Sequence, residues 1–172
     1  MKKNLVIGLL GLSCFLLMLL SSSLYKDIRN MKNEAGMDYY HLVSDTRYLI
    51  RDMKEMNIEE ALETEHGKQL LSNYKRELWE KQMRFYTHSN NIHEIGHMLR
   101  EVQLILDEAL KKGSITEEEE SSIKKSLEVI WFILLDLEGL AGRDNSWYDL
   151  FHDRELSDEI TKKIEQRINE DY

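Results

Sequence analysis

The chain has 172 residues, a formal net charge of −9 at neutral pH, no proline and a single cysteine. An acidic surface of this kind repels phosphate backbones, so nucleic acid is not among the expected partners. One cysteine excludes an intramolecular disulfide, and the absence of proline suits long unbroken helices far better than a turn-rich β fold. The length is that of a single domain with a sizeable core.

Residues 1–3 form a short basic tail, and residues 4–25 follow without a charge. A helix over 4–25 reaches about 33 Å, enough for a hydrocarbon core of roughly 30 Å. The strictly apolar part, Leu5 to Leu20, is of intermediate length. Ser21-Ser22-Ser23 also offers small residues where a signal peptidase cuts. Lipidation of Cys14 fits poorly, because Gly11 stands where a Leu-like residue belongs and the apolar run continues to Leu20. Leu24, Ile28, Met31 and Ala35 carry an apolar stripe out of the span, which favours a retained signal-anchor over a cleaved signal. Lys2 and Lys3 on one side nearly balance Lys26, Arg29 and Lys32 on the other. The basic head followed by an apolar stretch sets the expected orientation: N-terminus inside, single-pass in the cell membrane, with residues 26–172 as an acidic extracytoplasmic helical domain.

The first soluble helix is expected from Leu24 to Met56, with Leu42, Leu49 and Met56 continuing a coiled-coil-like stripe past Gly36. Asp38, Asp45 and Asp52 interrupt that seam, with Tyr39, Thr46 and Met53 beside it. Asn57 and Glu60 form the next helix-start signal. A break is expected at Gly67, after which Leu71, Tyr74, Leu78 and Phe85 mark a buried face. A third helix starts at Asn91, with Glu94 closing a capping box, and ends at Lys111-Lys112-Gly113. Its stripe is Ile92, Ile95, Leu99, Val102, Leu106 and Ala109. Thr116 to Glu119 is the clearest capping box in the chain, and the glutamates through Glu120 suit a helix's first turn rather than a calcium loop. The fourth helix has Ile123, Leu127, Ile130, Leu134 and Leu137 on one face and ends near Gly139 and Gly142. Ser146 starts a short fifth helix and Ser157 caps a last one through Ile160, Ile164 and Ile168. The expected fold is all-α: one N-terminal transmembrane helix, then an antiparallel bundle of about four main helices plus a short C-terminal helical pair.

One string carries the pattern of chemistry. His93-Glu94-Ile95-Gly96-His97 resembles the H-E-x-x-H signature of zinc-dependent peptidases, in which histidines four apart on one helix face hold zinc and the Glu takes a proton from the metal-bound water. The resemblance covers about ten residues. Met98-Leu99-Arg100-Glu101 replaces the extended third-histidine motif, so a third ligand must come from Glu128, Asp136 or Glu138. At 100° per residue His93 and His97 point well away from the Ile95–Leu99–Val102 stripe, toward water rather than a walled cleft. No catalytic, cofactor-binding or metal-ligating residue is therefore assigned, and no cofactor is expected.

Val129 to Leu135 is apolar on all sides of the helix, too short to span a membrane. It reads either as a central helix packed all round or as a docking patch through Val129, Phe132 and Leu135, with Trp147 and Tyr148 as a second docking candidate. The layout is similar, in architecture alone, to the outer sensing bundles of bacterial chemoreceptors and sensor kinases. The expected function is that of a membrane-tethered, non-enzymatic interaction or accessory protein of a bacterial cell envelope, with a protein partner. The alternatives are a zinc metallopeptidase and a ligand-sensing accessory subunit, which needs a cavity between helices.

Overall fold

The computed structural model describes residues 2–88, 92–142 and 146–171. Among the described residues seven helices follow in order: α1 Lys2–Lys54, α2 Ile58–Leu62, α3 Glu65–His88, α4 His93–Lys112, α5 Glu117–Ala141, α6 Trp147–His152 and α7 Arg154–Asp171. The described residues contain no strand. The all-α bundle expected from the periodicity is the observed fold.

The C-terminal part of α1 packs against α3 and α5, and α4 joins α3 and α5 to close a four-helix ring. Cross-links fix the antiparallel register. Asp45 pairs with Lys81 and the Asp38 carbonyl accepts from Arg84 between α1 and α3. Arg47 pairs with Glu138, and Lys54 with Glu128, between α1 and α5. Asp107 on α4 bridges Lys111 of its own helix and Lys75 of α3, and the hydrogen bonds from Lys111 first and then Lys75 lower its carboxyl to about 2. Helices α6 and α7 close the side formed by α1 and α5.

Helix α1 is continuous from the apolar N-terminal stretch into the bundle, about 80 Å of unbroken helix. Nothing in the sequence interrupts it: no proline is present, and Gly11 and Gly36 both lie within it. From Leu10 to Glu34 it is exposed throughout, and from Gly36 onward it buries Tyr39, Leu42, Val43, Thr46, Leu49, Ile50 and Met53. This face differs from the expected stripe. Leu42 and Leu49 are buried, but the centre of the seam is Tyr39, Thr46 and Met53. The aspartates Asp38, Asp45 and Asp52 turn to solvent, and Met56 lies beyond the helix end, half-buried. The shift is what desolvation demands, because three carboxylates cannot share an apolar seam. Thr46 satisfies its hydroxyl on the Leu42 carbonyl at 2.6 Å, so it can occupy a fully buried position.

Other boundaries also move. Asn57 caps α2 by accepting from Glu60 N at 3.1 Å, as its spacing predicts. The break between α2 and α3 falls at Glu63-Thr64, not at Gly67, and the Thr64 hydroxyl accepts from Gly67 N at 3.0 Å. The N-cap of α4 is Ile92, with no side-chain cap, and the expected Asn91–Glu94 box involves Asn91, which lies outside the described residues. The Thr116–Glu119 box is complete, at 3.2 Å and 2.9 Å. Helix α5 runs through Gly139 to Ala141. Helix α7 begins at Arg154 with Asp153 accepting from Glu155 N and Leu156 N, so Asp153 rather than Ser157 caps it.

Candidate functional site

The H-E-x-x-H string begins α4, and its surroundings are set by Tyr86 from the last turns of α3. The Tyr86 ring lies between the two histidines, edge-on to both, with centroids 5.7 Å from His93 and 5.2 Å from His97. His93 Nε2 donates to the Tyr86 carbonyl at 2.9 Å, and Tyr86 Oη lies 3.1 Å from His97 Nδ1. Gly96 makes the room: a Cβ there would stand 2.9 Å from Tyr86 Cε1. The string therefore forms a socket for one aromatic ring where α3 meets α4.

This geometry revises the expected placement. His97 is exposed, as the helical phase predicts, but His93 is half-buried and committed to a backbone carbonyl. A carbonyl oxygen only accepts, so His93 Nε2 carries a proton and presents no lone pair for a metal there. Each proposed third ligand is engaged elsewhere. Glu128 meets Lys54, Glu138 meets Arg47, and Asp136 accepts from Arg167 at 2.9 Å. Among the described residues no three His, Cys, Asp or Glu side chains are placed to share one ion. Replacing His93 and His97 together by alanine is expected to leave the full chain folded, with no change in metal content by elemental analysis. Stoichiometric zinc lost with the histidines would overturn this.

The apolar run of α5 divides. Val129 is buried, as are Ile130, Ile133 and Leu134, so Val129 does not belong to an exposed patch. The reason is that α5 is flanked by α1, α4, α6 and α7, so its apolar positions face several neighbours rather than one. Trp131 is half-buried beneath Arg47 and Lys54. Phe132 and Leu135 remain partly exposed, each at 36 %. The Arg167 guanidinium lies 5.3 Å from the Phe132 ring while Arg167 binds Asp136, so Phe132 also helps hold α7.

Trp147 and Tyr148 begin α6 and are half-buried against α1. Gly36 permits the approach: a Cβ on it would lie 3.2 Å from the Tyr148 backbone nitrogen. Trp147 meets Tyr40, Tyr148 stacks on His152 at 4.1 Å, and Lys32 lies over the Tyr148 ring. Below them Tyr39 is buried against Phe151 and donates to the His88 carbonyl at 3.1 Å. Burial, with Tyr148 adding to it, pushes the Tyr39 hydroxyl up and keeps it a neutral donor. These residues thus anchor the C-terminal pair to the long helix, within two turns of where α1 leaves the bundle.

A ligand-sensing role would draw on a space between helices. The groove between α1 and α3, lined by Asp45, Tyr48, Asp52, Tyr74, Glu77 and Lys81, is polar and lies at the surface. Burial first, then the Asp52 and Glu77 carboxylates, raise the Tyr74 hydroxyl.

Sequence reasoning missed Tyr86, Gly36 and Gly96 as the residues that organise these contacts. Gly36 was legible only as a kink in the first helix and Gly96 only as a variable position of the motif, and Tyr86 lay outside it. Comparison with known proteins returns no matching family model, no matching curated protein and no matching solved structure.

Proposed function

We propose that the chain is a membrane-tethered, non-enzymatic interaction protein of a cell envelope, with residues 4–25 in the bilayer and the acidic bundle outside the cytoplasm. The observation that carries this reading is the continuity of α1. Near the N-terminus this helix is long and apolar enough to cross a membrane, and its C-terminal part supplies a face of the bundle core. The segment from Lys26 to Ala35 spans about 15 Å, so a stiff and short stalk holds the bundle near the headgroups. The engagement of His93 and His97 by Tyr86 supports the non-enzymatic reading.

A reporter active only outside the cytoplasm, fused after Tyr172, is expected to be active on a full-length protein that resists extraction from membranes by alkaline carbonate. A mature N-terminus at Leu24, or release into the soluble fraction, would overturn the tether. A reporter active only in the cytoplasm would reverse the orientation.

A further inference from the structure

We infer that the span and stalk of α1 pair with a second copy of this chain as a parallel two-stranded coiled coil ending at Ala35. Leu10, Cys14, Leu17, Ser21, Leu24, Ile28, Met31 and Ala35 follow one another in alternating steps of four and three, the seam of a coiled coil. The seam is bare at the end of the span and along the stalk: Leu24, Ile28 and Met31 are 61, 53 and 68 % exposed.

The second copy is singled out by the residues flanking the seam. With Ile28 and Ala35 at a positions and Leu24 and Met31 at d, Asp27 falls at g and Lys32 at e. In a parallel pair, g of one helix meets e of its partner five residues on, so Asp27 of each copy faces Lys32 of the other. Within one chain the two sit on opposite sides of the seam, about 140° apart, and do not neutralise each other. Lys26, Arg29, Asn30 and Asn33 take the outer f, b and c positions, clear of the seam. A β-branched Ile28 at a with Leu24 at d is the pattern that favours two strands.

Parallel alignment follows from the proposed tether, on which this inference rests, because every copy inserts with the same topology. The structure also marks where pairing stops. Ala35 is half-buried, Gly36 and Tyr39 turn into the chain's own bundle, and the next seam position is the exposed Asp38. Lys32 already touches the Tyr148 ring at 5.0 Å on the bundle side, and its flexible stem must share that contact with Asp27 of the second copy.

The test is cysteine oxidation in native membranes on full-length protein with Cys14→Ser as background. Ile28→Cys and Leu24→Cys are expected to link most of the protein at twice the monomer mass, while Lys26→Cys and Asn33→Cys stay at the monomer mass. Adding Asp27→Lys to Ile28→Cys is expected to reduce linking by placing like charges across the pair, and adding Lys32→Asp as well is expected to restore it. Equal linking at all four positions overturns the pairing, as does a link to a product of another mass. Absence of linking at Ile28→Cys in protein found in the membrane fraction also overturns it, as does a double charge exchange that fails to recover. Protein missing from the membrane fraction removes the tether, and the parallel arrangement with it, which fractionation distinguishes from failure of pairing alone.

Discussion

Leu99→Ala and Leu134→Ala are each expected to lower the unfolding free energy of the bundle by about 2–5 kcal/mol, read as a shift of the urea midpoint with unchanged slope. Both side chains are wholly buried, Leu99 on α4 and Leu134 on α5, in helices that pack directly on each other. The loss has two parts: the transfer of apolar atoms, and a cavity that the surrounding helices only partly close. Leu134 sits on the helix with four neighbours, so collapse around it has to move several elements at once. A variant at either position that unfolds at the wild-type midpoint would show that its helix phase is misassigned.

Gly67→Ala is expected to destabilise the α2–α3 elbow by about 3 kcal/mol, at the upper end for overpacking. A Cβ built on Gly67 falls 2.1 Å from the Ala61 carbonyl oxygen and 2.6 Å from its Cα. Those are backbone atoms held by helix hydrogen bonds, so no rotamer change relieves the clash. α2 has to swing away, and Ile58 and Leu62, both buried, leave the core with it. The comparison is Gly139→Ala on α5, where a Cβ meets nothing within 4 Å. That change is expected to be neutral or stabilising, since alanine is the better helix former. Equal melting of the two variants would show that the elbow is looser than the described contact.

The H-E-x-x-H string shows how far a local reading reaches. Its helical setting and the outward direction of His97 follow from the apolar period of α4 alone. The half-burial of His93 does not, because it depends on Tyr86 arriving from another helix. The same limit applies to Val129. The apolar run read either as a central helix packed all round or as a docking patch, and only the neighbours of α5 on several sides decide that Val129 is buried. The docking candidates are thereby reduced to partly exposed Phe132 and Leu135, together with Trp147 and Tyr148, which also anchor α6.

The sequence by itself determined the all-α class, the span-like N-terminus and most of the core of α3, α4 and α5. These rest on local physics: a 3.6-residue apolar period, capping side chains such as Asn57, Thr116 and Ser146, and no proline to interrupt α1. Tertiary structure decided the rest. Which face of α1 is buried was ambiguous because its apolar residues and aspartates alternate around the helix. Packing against α3 and α5 resolves it by choosing the phase that leaves Asp38, Asp45 and Asp52 in water. Gly36, Gly67 and Gly96 acquire meaning only from the atoms brought against them by Tyr148, Ala61 and Tyr86. The missing side chain of a glycine carries no signal along the chain; what fills its place is set by where the other helices lie.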